Sequence, residues 1–369
     1  MTPRVLVCCG SGGVGKTTTS AALALRLALG GARVAVLTID PARRLADSLG
    51  VGPIGNTPQV VPLDALGVQG AGQLEAMMLD MKATFDSVIA RFAASPESRD
   101  RILQNRYYRF ASTRLAGSHE YMAMEKLFEL FEAGQHDVII LDTPPTRHAL
   151  EFLKAPDRMS NLMDEGVMHW LSLPRNTRGF RALEKGSDVV VSVLKRLLGA
   201  QTIGEIAEFF HAFRELWGGF RERSIQVKDL LSGPQTTFLL VTTAAPAARR
   251  EAQDFVAVLR QGGMPFGGFL VNRVVPAPDS AEPLPSALLP PRPEQIPAHD
   301  WAAVTRAVLN APARQMRLAA AEREYLRELR LEAAGSPMWL IPELDEDVHD
   351  LRTLRKLSEH LGPAAEAIL

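Results

Sequence analysis

The stretch Val5-Leu6-Val7-Cys8-Cys9-Gly10-Ser11-Gly12-Gly13-Val14-Gly15-Lys16-Thr17-Thr18 decides how the rest of the chain is read. A short apolar run turns glycine-rich and then opens into an Ala/Leu segment, Thr17 to Leu29. That segment has one charge, Arg26, and is apolar nearly all round, so it is expected to be a buried helix. Gly30-Gly31 stops it, and Arg33 to Ile39 follows as a second apolar strand ending in Asp40-Pro41. Strand, glycine loop, helix and strand in that order make a βαβ unit, which requires a parallel sheet. Residues 10–17 fit G-x-x-x-x-G-K-[ST] in the context that motif needs. The glycines let successive backbone N–H groups turn inward toward phosphate oxygens, and the helix beyond adds its positive end. Lys16 neutralises β- and γ-phosphate charge on this reading, and the Thr17 hydroxyl suits Mg²⁺, a hard cation that prefers oxygen. Gly12, Gly13, Val14, Gly15, Lys16, Thr17 and Thr18 are therefore the candidate nucleotide-binding residues, with ATP and Mg²⁺ as the expected ligands. Two other readings stay open at this point. Gly10, Gly12 and Gly15 also fit G-x-G-x-x-G, with Asp40 as a ribose-binding acid, which would make a nicotinamide-dependent oxidoreductase. A glycine turn that binds nothing is the other.

Further along, Val138-Ile139-Ile140-Leu141 is an apolar strand that delivers Asp142 at its C-terminal end. In phosphate-loop proteins such a carboxylate stands beside Mg²⁺, so Thr17 and Asp142 are the candidate metal residues. Thr143-Pro144-Pro145-Thr146 then makes a stiff turn placed to change shape on hydrolysis. Asp40, at another strand end facing the same crevice, is a candidate to polarise the attacking water, with Lys16 as its catalytic companion; the alternative role for Asp40 is a helix N-cap. Further strands are expected at Phe238–Val241, Phe269–Val271 and Met338–Ile341. The fold expected is α/β: a doubly wound, mostly parallel sheet carrying an inserted α-helical subdomain. Residues 1–71, 135–146 and 234–369 are assigned to the sheet domain. Residues 72–134 and 147–233 read as helical, because Leu74, Met77, Met78, Met81, Phe85, Val88, Ile89 and Phe92 recur at helical spacing, as do Ile203, Ile206, Phe210, Phe213, Trp217 and Phe220. Pro276–Pro297 reads as a loop, and Ala302–Arg330 as a surface helix breaking near Pro312.

Composition narrows the class. Lys plus Arg is 41 and Asp plus Glu is 42, a balance that argues against bulk binding to nucleic acid or anionic membrane. The two cysteines, Cys8 and Cys9, are adjacent, so they make neither a disulfide framework nor a CxxC clasp, and no zinc is expected. No run of eighteen apolar residues exists, so no stable membrane insertion is expected. These readings point to a cytoplasmic protein. Met77, Met78, Met81, Met122, Met124, Met159, Met163 and Met168 offer either an adaptable groove for a hydrophobic client, such as a membrane segment or lipid, or simply a helical core. The terminal stripe Leu351, Leu354, Leu357 and Leu361 is expected to pack on the sheet domain.

The chain resembles the arsenical-pump and tail-anchored-protein-targeting ATPase family, within the phosphate-loop class that has a deviant Walker A motif. The resemblance is carried by Gly12-Gly13-Val14-Gly15-Lys16-Thr17-Thr18, by Asp40-Pro41-Ala42 with Leu45 and Ser48, and by Asp142-Thr143-Pro144-Pro145-Thr146 with His148. Val271-Asn272-Arg273 and Ile341-Pro342 add to it. It implies an ATPase working as a dimer, with helical subdomains that join or part with nucleotide state. It also implies that Asn272 contacts adenine, with the backbone near Pro342 assisting. Two departures stand out. The family's loop usually has a second lysine just before the Gly-Gly pair, and here that position is Ser11. Slow hydrolysis, a substitute cation such as Arg43 or Arg44, or a heterodimer with a paralogue carrying the lysine would each accommodate this. Arg147 likewise stands where the family tends to have glycine. The second departure is the lack of the cysteines that targeting and arsenite-stimulated members use.

Overall fold

The computed structural model describes residues 2–40, 44–105, 108, 118–144, 216–333 and 335–368. Alternation along the first strand, β1 (Arg4–Cys9), builds two cores at once. Val5, Val7 and Cys9 enter one, Leu6 and Cys8 the other, and all five are fully buried. A strand covered on both faces has no solvent side, which is why it reads as an unbroken apolar run. Around it, among the described residues, stand β2 (Arg33–Thr38), β3 (Gln59–Val60), β4 (Gln73–Met78), β5 (Val138–Asp142), β6 (Thr236–Thr243), β7 (Phe266–Val274) and β8 (Met338–Pro342). They form one sheet in the order β3-β4-β2-β5-β1-β6-β7-β8. Every pairing is parallel except the short β3 against β4.

Helices cover both faces, so the sheet is doubly wound as the sequence implies. On one face lie α1 (Lys16–Leu29) and α2 (Arg44–Leu49), against Leu6, Val34, Val36 and Leu270. The other face takes α3 (Met81–Phe92), α4 (Pro96–Gln104), α5 (Ser118–Ala133), α6 (Trp217–Ser232) and α7 (Pro246–Gln261), against Val7, Leu141, Phe238 and Phe269. Beyond β7 come α8 (Ala298–Leu309) and α9 (Ala311–Glu332). After β8, α10 (Leu351–Glu359) and α11 (Gly362–Ile368) return to the α1 face. The terminal stripe does pack there: Leu354 and Leu361 are fully buried. Asp350 and Thr353 close a capping box that fixes where α10 begins. The helix expected over 302–330 does break near Pro312: it is two helices meeting at Asn310. Pro312 lies in the first turn of the second, where its missing N–H costs nothing.

One expectation is overturned. Leu74, Met77 and Met78 lie not on a helix but on β4, which pairs with β2 along its whole length. Met77 enters one core and Met78 packs against the other, as alternation demands. Helical structure begins only at Met81. Met77, Met122 and Met124 are fully buried, so among the described residues these methionines form core rather than groove. Ile203, Ile206, Phe210, Phe213, Met159, Met163 and Met168 lie outside the described residues, as do Pro41, Ala42, Arg43, Pro145, Thr146, Arg147 and His148.

The helices of the second face are tied by a buried ionic knot. Arg223 of α6, 4% exposed, bonds Glu125 at 2.8 Å and Glu132 at 2.7 Å, and its guanidinium lies 4.0 Å from the Phe128 ring centre. Glu132 also takes Arg91 of α3. Burial pushes the Glu125 carboxyl up, and Arg223 pulls it back. Removing one member of such a pair strands a buried charge. Arg223→Met is therefore expected to cost on the order of 3–5 kcal/mol in urea unfolding. The double variant Arg223→Met, Glu125→Leu should recover most of that loss, since well-packed apolar replacements are often neutral. A double variant as unstable as the single one would show that packing, not stranded charge, sets the cost.

Candidate nucleotide-binding site

The site forms where β1 gives way to α1, at the C-terminal edge of the parallel sheet. This is where ligands bind in open α/β folds. Gly10 to Gly15 bridge the two elements, and two glycines there have specific causes. A Cβ on Gly10 would lie 2.2 Å from the Val241 carbonyl oxygen, so no side chain fits. Gly15, the N-cap of α1, sits at φ +88°, and a Cβ there would meet the Asn272 side chain at 2.3 Å. The loop is thus pressed against β6 and β7 by its own lack of side chains.

Three strand ends converge on it. Asp142, fully buried at the end of β5, accepts through Oδ2 from the Thr17 hydroxyl at 2.7 Å and from the Thr38 hydroxyl at 2.8 Å. Its Oδ1 is buried and has no hydrogen-bond partner. Burial pushes the carboxyl up to about 6, while the two hydroxyls and Lys16 hold it down. Lys16, 8% exposed, donates from Nζ to the Ser11 carbonyl at 3.1 Å across the loop. Burial lowers its affinity for a proton, and Asp142 pulls the other way. Asp40 stands just past β2, its amide donating to the Thr38 hydroxyl at 3.2 Å. Its carboxylate lies 3.6 Å from Arg44. Thr143 ties the exit of β5 to β1 by donating to the Cys8 carbonyl at 2.9 Å.

Asn272, on β7, is brought to the same loop. Its amide nitrogen donates to the Val14 carbonyl at 2.9 Å, so Asn272 holds the loop from outside. Two cavities flank the loop. One of 310 Å³ is lined by Gly13, Lys16, Thr17, Asp40, Arg44 and Thr143. The other, of 590 Å³, is lined by Thr18, Asn272, Pro342, Glu343 and Asp347. Of the sequence-proposed site residues, Gly12, Gly13, Gly15, Lys16, Thr17, Thr18, Asp40, Asn272 and Pro342 line these two spaces and Val14 lies on the loop, whereas the buried Asp142 lines neither and reaches the loop through Thr17. The sequence alone does not show Thr38 as a partner of Asp142: Thr38 stands two residues before Asp40, and only the parallel register of β2 on β5 sets it beside Asp142. The loop-holding role of Asn272 was also missed, because nothing in a strand sequence says which carbonyl its amide meets. Cys8 and Cys9 are buried in the two cores, their thiols pushed up to about 12 by burial, and so stay protonated at neutral pH. Among the described residues no helix is long and apolar enough to cross a membrane.

The arrangement can hold a metal as well as phosphate. Hydroxyl and carboxylate oxygens are the donors Mg²⁺ prefers. The buried Oδ1 of Asp142, lacking a partner, is an acceptor waiting for a cation or its water. Thr17 and Asp142 fit that ion.

Asn272→Ala removes the bond to Val14 and leaves that carbonyl unpaired. It is expected to cost about 1–3 kcal/mol of stability without nucleotide, read by urea unfolding. An unchanged midpoint would mean that the loop holds its shape without β7.

Comparison with known proteins agrees with this geometry. The family model described as anion-transporting ATPase matches residues 3–286. A protein of Aquifex aeolicus named as an arsenical pump-driving ATPase is 25% identical over 377 residues, spanning 96% of this chain and 78% of the relative. An ATPase GET3 of Malassezia globosa is 24% identical over 75% of this chain and 74% of its own. An ATPase get3 of Aspergillus terreus is 26% identical, covering 74% of each.

Proposed function

The chain belongs to the anion-transporting ATPase family, and from that premise we propose that it is a Mg²⁺-dependent, dimeric switch ATPase that converts ATP and water to ADP and phosphate. One observation carries the reading: the Thr17 hydroxyl and the buried Asp142 carboxylate meet at 2.7 Å beside Lys16, with Oδ1 of Asp142 unpartnered. That is a metal-and-phosphate arrangement, and a dinucleotide oxidoreductase has no use for it. The family match weighs the same way against the nicotinamide alternative.

The chain's own groups divide the work. The loop amides between Gly12 and Thr18 and the start of α1 bind the phosphates. Lys16, inside the loop, neutralises the β- and γ-oxygens. Thr17 and Asp142 hold Mg²⁺, which when bound supplies charge neutralisation on the transferred phosphoryl group. Asp40 orients and polarises the attacking water from the mouth of the smaller cavity, its position set by the Thr38 hydroxyl. On the other side, the Asn272 amide gives one N–H to Val14, which leaves its Oδ1 as an acceptor and its second N–H as a donor. An acceptor is the complement of the adenine amino group, and the backbone at Pro342 borders the same cavity. Hydrolysis releases the turn at Thr143-Pro144. The helices of the second face share one core with β5, so displacement there is passed on to them. A hydrophobic client, a membrane segment or lipid, is the partner class for the helical part; the buried Met77, Met122 and Met124 do not supply its surface. The setting is the cytoplasm.

A second reading rests on Ser11. A hydroxyl cannot carry positive charge across a dimer interface, so a homodimer lacks that cation in both sites. Losing one charge-stabilising group costs on the order of 10²–10³ in rate. On this reading the chain binds ATP well but hydrolyses it weakly, and a paralogue bearing the lysine completes a heterodimer.

Lys16→Ala is expected to abolish ATP binding by calorimetry. Asp40→Asn should bind ATP as the wild type does and lose about 10²-fold in turnover. Equal turnover in Asp40→Asn would remove Asp40 from the chemistry. Ser11→Lys should raise turnover by about tenfold or more over the wild-type chain alone. A wild-type chain that is already fast and gains nothing would set the second reading aside.

A further inference from the structure

The strand β7 breaks its own rule at one point. Alternation sends Phe269 and Val271 into one core and Leu270 into the other. Asn272 continues the pattern toward the loop side, where it bonds Val14. Arg273 should then point to the opposite face, yet its Nη1 lies 3.4 Å from the Gly13 carbonyl, on the same side as Asn272. The backbone explains the exception. Arg273 has φ +57°, the one non-glycine residue in the left-handed region among those described. The pairing with β8 shifts register between Val271 and Val274, so the strand is bulged here. Bulges re-aim side chains and are common beside active sites. A bulky side chain held in the left-handed region is strained, and such strain persists where the surroundings over-determine it.

The bulge thus turns two consecutive side chains onto two consecutive loop carbonyls, Val14 and Gly13. It also puts Arg273 in a distinctive place, because Arg273 lines both the phosphate-side and the base-side cavity. Among the described residues the other positive charge near the loop is committed: Lys16 lies inside it, and Arg44 faces Asp40. Among the described residues the only further charges on the base-side cavity are carboxylates, Glu343, Glu346 and Asp347, which oppose an anion. The Arg273 guanidinium between the two spaces is what a polyphosphate chain entering past those carboxylates would meet.

We propose that Arg273 is a nucleotide-binding residue that engages the phosphates of ATP in cis, aimed at them by the strained bulge. This rests on the ATPase reading above. The test uses the full chain with MgATP, MgADP and adenosine, the last by competition. Arg273→Gly removes the guanidinium while giving the left-handed position to the residue that tolerates it best. It should keep or raise the thermal midpoint without nucleotide. Its affinity for MgATP should fall by about tenfold to a hundredfold, the range of a charge-assisted hydrogen bond. Adenosine should bind as before, and the salt dependence of ATP binding should flatten. Arg273→Lys, which keeps charge without the fork, should recover part of the loss.

Wild-type ATP affinity in Arg273→Gly would overturn the proposal. So would an equal loss for ATP and adenosine, since that marks a distorted loop rather than a missing phosphate contact. Lys16→Ala separates the two levels of inference. If Lys16→Ala loses ATP and Arg273→Gly does not, the Arg273 assignment fails and the ATPase reading stands. If the wild type binds no ATP, both fall.

Discussion

A carboxylate with no access to water holds this site together. Asp142 ends the central strand β5, and its Oδ2 collects hydroxyl bonds from Thr17 on α1 and Thr38 on β2. Three elements of the sheet's C-terminal edge are thereby pinned to one oxygen. Burying a charged group is costly unless it is paired, so this contact is poor value as a source of stability. Burial raises Asp142 to about 6 and leaves its Oδ1 without a hydrogen-bond partner, and on the function proposed above that oxygen faces the metal. The neighbouring Lys16 supplies the compensating charge without taking a direct bond to Asp142.

The phosphate loop depends on that arrangement and on a second from outside. Its amides can face inward only if its carbonyls face outward, and outward carbonyls in a buried setting need donors. Asn272 provides one for Val14 at 2.9 Å. The tightness of the fit is visible at Gly15, where a single added carbon would collide with the Asn272 amide. Strand β7, distant in sequence, thus shapes a loop at the start of the chain.

The parts legible in the sequence share a property: their residue types have few alternative uses. Glycines at four positions before Lys-Thr, with a second strand-end carboxylate at 142, single out the phosphate loop where the glycines and Asp40 alone also fit a dinucleotide site. The strand β4 was not legible. Leu74, Met77 and Met78 are spaced i, i+3 and i+4, which is helical spacing. Yet the strand does alternate over Gln73-Leu74-Glu75-Ala76, and only the apolar pair Met77-Met78, whose members enter opposite cores, breaks the period of two and completes the helical spacing. The bulge at Asn272-Arg273 was invisible for another reason. A positive φ at arginine has no compositional signal, because what enforces it is the register of β8 and the carbonyls of a loop more than two hundred residues away.

Where positive charge originates decides what an assembly can control. A cation supplied by the chain that holds the nucleotide acts whether or not a second subunit is present. A cation reaching across an interface acts only in the assembled state, and so makes hydrolysis contingent on partnership. Ser11 cannot supply the second kind, while Lys16 and, on the inference above, the guanidinium beside Gly13 belong to the first. Charge in cis favours the triphosphate in the ground state and the transition state alike, which tightens binding more than it speeds chemistry. On the function proposed above, a site built this way would retain ATP and leave the rate to the partner that completes it, a separation of holding from hydrolysing that follows from which residues lie on one chain.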